Sequence, residues 1–382
     1  MATPLVFLVP GFFGFTSVGS VSYFEQVEQS LGRALQRRGV AARILRCKTQ
    51  PTASIPRRVD ALRRQVQRHL GRPGAADAPA LHFVGHSTGG LDMRMLLAPG
   101  VKISRGESEE RIARLTRTAT SVATPHHGTP LANHFLTLQG QTLLLVLSAL
   151  ATSGQGRGTI LAAAKALALV ARLDDWLGRD EGPLDRIAEG LLRKIRFNRG
   201  DPVWQYLGEI EQDQGAVLQL TPEGIELFDA AVADRAGIDY GCVVTGVPQP
   251  RERLVAGELL DPEYVALRAV FRLLHGLTSR PHPRYPCPQP RPAQQRALEA
   301  ALGFKPTPAT NDGIVPTLSQ LHGRLLHVAR ADHLDVVGHY TLAGGRTADW
   351  LPSGAGFTPE AFEATWDAVA GAIARSLPRA PG

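Results

Sequence analysis

The residues Gly85-His86-Ser87-Thr88-Gly89-Gly90 follow the apolar run Leu81-His82-Phe83-Val84 and open a helical stretch from Gly89 to Leu97. G-x-S-x-G between a strand and a helix is the setting of a nucleophilic serine. A sharp strand-to-helix turn strains the serine backbone and leaves no room for side chains at Gly85 and Gly89. It also presents Ser87 Oγ near a helix N-terminus, which favours developing negative charge. An ordinary turn can carry the same letters; the flanking strand and helix favour the nucleophile. A serine nucleophile needs a base, an orienting acid and an oxyanion site. Late in the chain stand Asn311-Asp312-Gly313 and Asp332-His333-Leu334-Asp335. The order Ser87, Asp312, His333 supplies nucleophile, acid and base, with His339, His327 and Asp335 as weaker substitutes. Taken alone, Asp312-Gly313 is equally a turn and His333 a surface histidine. The oxyanion donors expected are the Thr88 N–H, held by the turn, and the Phe12 N–H in Pro10-Gly11-Phe12-Phe13-Gly14, where Gly11 permits close backbone approach. The Phe12 side chain then lines an acyl pocket; the plainer reading makes Phe12 and Phe13 core residues.

Strands and helices must hold these groups in place. Leu5-Val6-Phe7-Leu8-Val9 reads as a strand buried on both faces. Phe24, Val27, Leu31 and Leu35 recur at helical spacing between Val21 and Arg38. Ala41 to Leu45 is the next strand, Ser54 can cap a helix carrying Ile55, Val59, Leu62 and Val66, and Thr116 to Ala123 is a further strand. Strands alternating with helices predict a doubly wound, mostly parallel sheet. The alternation stops after Pro130 and returns at Tyr240 to Val244 and Leu325 to Ala329. Residues 1–131 and 240–382 are therefore read as the core, and 132–239 as a helical insertion forming a cap. Its apolar run Leu143 to Leu147, its Gly154 to Gly158 break and the apolar stretch Ile160 to Leu177 fit buried cap helices, a dimer interface or a hinged lid. A lid would add transient contact with a lipid interface. Six prolines between Pro281 and Pro292 forbid a central strand and suggest an extended strap. Thr358 and Pro359 start a final helix.

The chain of 382 residues is 43% hydrophobic and 20% charged, which suits a globular protein and excludes a disordered one. Its net charge of +7 invites a nucleic-acid reading, yet only five of its 42 basic residues are lysines and no basic run is interleaved with aromatics. Nucleic acid is not expected as a partner. Cys47, Cys242 and Cys287 lack metal-site spacing and read as buried thiols. The N-terminus enters a strand without a basic leader, and no apolar stretch reaches the ~18–20 residues that cross a bilayer. The expected compartment is the cytoplasm.

Together Pro10-Gly11-Phe12, the Gly85 to Gly90 turn, Ala123-Thr124-Pro125-His126-His127-Gly128-Thr129-Pro130, Asn311 to Val315 and Asp332 to Asp335 resemble bacterial α/β-hydrolase lipases of the triacylglycerol lipase type. The resemblance runs from Leu5 to about Tyr340, without the stretch 132–239. It implies the α/β-hydrolase fold, a mostly parallel sheet flanked by helices, with a helical lid. It implies Ser87 as nucleophile, Asp312 as acid, His333 as base, and Phe12 and Thr88 as oxyanion donors. Pro125 and His126 would edge the site, joining Phe12, Phe13 and His86 as substrate contacts, with a structural role for His126 and His127 equally open. The implied activity is serine carboxylic-ester hydrolysis of lipid-like acyl esters. A thioesterase or acyltransferase would share the acyl-enzyme, and a non-catalytic binding protein would be expected to have lost a triad member. Secreted relatives often carry a histidine where Pro10 stands. Some hold calcium with the aspartate matching Asp335 and a second one before the catalytic acid. Between Pro262 and Asn311 the only acids are Glu263 and Glu299, neither in a matching context, so neither a metal nor another cofactor is expected. The oligomeric state is not readable.

Overall fold

The computed structural model describes residues 2–12, 17–18, 21–70, 78–103, 108–137, 213, 215–250, 262–280, 288–340, 349 and 351–378. Leu5–Val9 (β1) is buried along its whole length, as an apolar run without polar alternates must be. Ser17–Val18 (β2) and Val21–Ser22 (β3) pair antiparallel as a small separate sheet. β1 pairs in parallel with Arg43–Arg46 (β4) on one side and with Leu81–His86 (β5) on the other. Thr116–Val122 (β6), Asp239–Gly246 (β7) and Arg324–Arg330 (β8) follow, also parallel, giving the order β4-β1-β5-β6-β7-β8. The direction of growth reverses between β1 and β5. At such a switch point the loops leaving the carboxyl ends part and open a crevice, and Pro10-Gly11 and Ser87 both emerge there.

Side chains along β1 alternate between the two sides of the sheet. Leu5, Phe7 and Val9 join a core with Val59 and Leu62 of the helix Ile55–His69 (α2) and with Leu91 and Leu96 of the helix Gly89–Leu97 (α3). Val6 and Leu8 join a second core with Leu31 of Glu25–Arg37 (α1) and with Trp366 of the terminal helix Pro359–Ser376. The fold class expected from the alternation is the one observed.

Several elements differ in detail from their sequence reading. The first helix begins at Glu25 rather than Val21, because Val21–Ser22 is spent in the small hairpin. Ser54 does sit at the N-cap of α2, but its side chain makes no capping bond; the Ile55 N–H donates to Gln219 Oε1 at 2.7 Å instead. The cap is thus supplied by a residue 164 positions along the chain. Thr358 caps the terminal helix as expected, accepting from the Ala361 N–H at 3.2 Å. Helices at Pro262–Thr278 and Pro292–Leu302 were not anticipated, the second starting at the last proline of the supposed strap. Residues 281–287 and Cys287 lie outside the described residues, as do 138–212, with the apolar runs and glycine break on which the lid reading stands. Beyond them, Leu220, Ile225, Phe228 and Val232 pack into the same core as β1. Cys47 and Cys242 are buried free thiols, and burial pushes them up to about 12 and about 11. No helix among the described residues is long and apolar enough to cross a membrane.

Candidate active site

Ser87 ends β5 with φ of 54°, in the left-handed region that costs a residue with a β-carbon free energy. Close packing enforces that strain. A β-carbon on Gly85 would enter the backbone of Gly89 and Gly90, and one on Gly89 would strike the carbonyls of Val9 and Pro10. At Gly90 it would meet the Thr124 side chain, so the third glycine of the turn lets the Ala123–Pro130 segment close on it. At Gly11 it would lie 2.7 Å from Ser87 Cβ. The Ser87 N–H donates to the Val122 carbonyl at 2.9 Å, locking the turn to β6.

The loop after β1 is gripped from beneath. Arg58 of α2 is fully buried, and its Nη2 donates to the carbonyls of Pro10 at 2.9 Å and Gly11 at 3.0 Å. Its Nη1 reaches the carbonyls of Gln50 and Pro51, while Nε and Nη2 bind the buried carboxylate of Asp92 on α3. Burial pushes the Asp92 carboxyl above its usual range, an effect the Arg58 guanidinium opposes. The pair ties the loop carrying Phe12 to the helix that starts at the serine turn. Phe12 is partly buried against the core, Thr88 is the buried N-cap of α3, and Phe13 lies outside the described residues.

Asp312 and His333 meet beside the carboxyl ends of β7 and β8. His333 Nδ1 lies 2.9 Å from Asp312 Oδ2, and the His333 N–H donates to the Asp312 carbonyl at 3.0 Å. The Asp312 carboxylate, wholly buried, also accepts from the N–H groups of Ile314 (3.0 Å) and Val315 (2.7 Å), from Thr245 Oγ1 (2.7 Å) and from Gln320 Nε2 (3.2 Å). Gln320 is itself oriented, because its Oε1 accepts from the Thr245 N–H at 2.7 Å. A buried carboxylate with this many donors has its lone pairs satisfied and is held in one rotamer. Trp366 Nε1 donates to the Val336 carbonyl, so the terminal helix steadies the loop of the base.

His86, the residue before Ser87, joins the serine turn to the loop that carries His333. The ring of His86 lies 4.7 Å from that of His333, and His86 Nε2 is 2.9 Å from the His333 carbonyl. Its Nδ1 is 2.6 Å from Tyr23 Oη. With both nitrogens used and only 1% exposure, His86 is not placed to touch a substrate, contrary to the expectation from its position beside the serine. His126 is corrected in the same way: it is buried, its Nε2 bonds Ser121 Oγ at 2.9 Å and its Nδ1 faces Arg94. Pro125 is buried with it. Arg58, Tyr23, Thr245 and Gln320 had no place in the sequence reading. None stands in a spacing pattern; an arginine amid the apolar stripe of α2 was the one available signal.

A further group gathers beside the base. Ligand atoms of Asp332, Asp335 and Asp349 lie within 4.8 Å of one another, and the buried Asp332 Oδ2 has no hydrogen-bond partner among the described residues. Burial, reinforced by the neighbouring carboxylates, pushes both Asp332 and Asp335 well above the ordinary aspartate range. Three oxygen donors crowded around an orphaned carboxylate oxygen fit a hard divalent cation of the calcium class. The carboxylate gathered with Asp335 from farther along the chain is Asp349, which follows His333, and not a residue before Asp312.

No family model matches the chain, and no curated protein matches it. Among solved structures it is similar to lipase 1 from Pelosinus fermentans, with a TM-score of 0.50 and 17% identity over 92% of this chain and 97% of that one. It is also similar to EstA from Clostridium botulinum (TM-score 0.48, 17% identity, 95% and 87% covered) and to the Staphylococcus hyicus lipase (TM-score 0.46, 16% identity, 98% and 96% covered). The first likeness, with the strand order described above, shows the α/β-hydrolase fold.

Proposed function

We propose that this chain is a serine carboxylic-ester hydrolase acting through an acyl-enzyme on lipid-like acyl esters. The observation that carries the reading is the strained Ser87 with a hydrogen-bonded Asp312–His333 pair packed against its neighbour His86. Ser87 Oγ attacks the ester carbonyl carbon as His333 Nε2 takes the hydroxyl proton. Asp312 accepts from His333 Nδ1–H and so stabilises the imidazolium. The carbonyl oxygen becomes an anion that accepts from the N–H groups of Thr88 and Phe12. The carbon–oxygen bond to the alcohol then breaks, and His333 returns the proton to the leaving alkoxide. Water repeats the sequence on the acyl-enzyme and frees the acid. In this reading Phe12 and Phe13 line the acyl side, and residues 132–239 form the cap over a core of 1–131 and 240–382. Leu220, Ile225, Phe228 and Val232 pack against the core and would anchor the cap's return arm on it. A divalent cation would be held by Asp332, Asp335 and Asp349; when bound it neutralises their charge beside the turn that bears His333.

The test is active-site labelling. A fluorophosphonate probe should label the protein but not a folded Ser87→Ala variant. Hydrolysis of p-nitrophenyl esters should fall by roughly 10⁶-fold in that variant. Labelling that persists without Ser87 would put the nucleophile elsewhere. A wild type that turns over acyl-CoA and spares oxygen esters of every chain length would redirect the reading to a thioesterase.

A further inference from the structure

We infer that Tyr23 and His86 are positioning residues, forming a one-directional hydrogen-bond chain that ties the oxyanion loop to the backbone of the base. The inference rests on the hydrolase reading above for its meaning. The chain has three links: Gly11 N to Tyr23 Oη at 3.3 Å, Tyr23 Oη to His86 Nδ1 at 2.6 Å, and His86 Nε2 to the His333 carbonyl at 2.9 Å.

Donor and acceptor chemistry leaves one proton arrangement. The His333 carbonyl can only accept, so His86 Nε2 carries hydrogen. The His86 ring is buried with the His333 ring 4.7 Å away, and burial drives its pKa well below 6.5, so the ring is neutral and Nδ1 is bare. Nδ1 therefore accepts from the Tyr23 hydroxyl. The hydroxyl oxygen, having given its hydrogen to His86, turns a lone pair to the Gly11 N–H. Each member is then satisfied, and reversing any one of them leaves a buried group unpaired.

The ends of the chain explain its use. Gly11 immediately precedes Phe12, the proposed oxyanion donor, and His86 immediately precedes Ser87. Arg58 holds the same glycine by its carbonyl, so Gly11 is fixed at both N–H and C=O. A β-carbon there would lie 2.9 Å from Tyr23 Oη, which is why a glycine completes the link. Oxyanion donors and bases must hold their geometry to a fraction of an ångström to act in the transition state. The chain sets the loop, the serine and the base against one another through the buried side chains of Tyr23 and His86.

Two measurements test this. Histidine ¹⁵N NMR of the full chain at pH 7 should find His86 as the neutral Nε2–H tautomer, and Tyr23→Phe should keep that tautomer while shifting the Nδ1 resonance as its hydrogen bond is lost. On a soluble short-chain p-nitrophenyl ester, Tyr23→Phe should lower kcat by about tenfold or more, with KM moved less than about twofold. His86→Leu should behave alike, and His86→Gln, which keeps a donor toward His333, should lose less. The Tyr23→Phe/His86→Leu double variant should be no worse than the poorer single one, because one chain is broken once. Additive losses, or a wild-type His86 in the Nδ1–H or doubly protonated form, would overturn the inference. Should Tyr23→Phe not fold, the comparison of His86→Gln with His86→Leu decides, equal losses counting against it. If the wild type neither hydrolyses esters nor reacts with fluorophosphonate, the hydrolase reading has failed, and the tautomer measurement still judges the chain by itself.

Discussion

At the serine turn, Gly85, Gly89 and Gly90 are so tightly enclosed that an added methyl group would enter backbone or a buried side chain. At the acid, Asp312 is surrounded by donors drawn from Thr245, Ile314, Val315, Gln320 and His333. The first region is shaped by exclusion and the second by satisfied polar groups. Exclusion is steep, since overlap with backbone cannot relax without moving a strand or a helix. Hydrogen bonding is graded, since each lost donor costs its own share. The two arms of one site should therefore fail differently when altered.

Gly85→Ala is expected to do the most damage. Its methyl would strike the backbone of Gly89 and Gly90, with no flexible side chain to yield, and the loss should exceed about 4 kcal/mol by urea denaturation or prevent folding. A variant of near-native stability would show that the turn can relax and that the contrast is false. Gln320→Leu comes next. It leaves the buried Thr245 N–H without its acceptor and removes one donor from Asp312, which should cost about 1–3 kcal/mol. Ester turnover should drop in part and not vanish, read well below the variant's melting temperature. Complete inactivity in a folded variant would make the acid arm as intolerant as the turn. The smallest effect belongs to an ion pair outside both arms, Asp367 with Arg38, on the exposed side of the terminal helix. Hydrogen bonds from Arg38 lower Asp367 to about 2, so its contribution is present above the ordinary aspartate value and fades as pH falls from about 4 through about 2. The carboxylate is 40% exposed, so Asp367→Asn should cost less than about 1 kcal/mol at pH 7 and less still at pH 3. A larger penalty at pH 3 than at pH 7 would contradict this sign.

This contrast also explains what could be read from residue order. Exclusion selects glycine at set distances from one serine, and that leaves a visible pattern; β1, β5, α3 and the turn were accordingly found close to where they stand. Satisfying a carboxylate can be done by many residue types from many places, so Thr245 and Gln320 left no trace. His86 and His126 were read as substrate contacts because they adjoin motifs, whereas burial is decided by packing that adjacency does not reveal. The capping of α2 by Gln219 is similarly a property of two distant segments brought together. Asp349 stands past His333, whereas the resemblance would place a companion for Asp335 before Asp312, so no spacing pointed to it.

Every pairing in the six-stranded sheet is parallel, and none can be closed by a tight hairpin. Leu5 must find Arg43 on one side and Leu81 on the other, and β6 shows a bare edge until β7, beginning at Asp239, arrives. Such non-local order makes assembly slow and leaves an adhesive strand edge uncovered during synthesis. The serine turn can form early, with its strain already in place. Asp312 and His333 reach it only when the last two strands dock, so on the proposed mechanism a chain emerging from the ribosome carries an unassisted serine for most of its length.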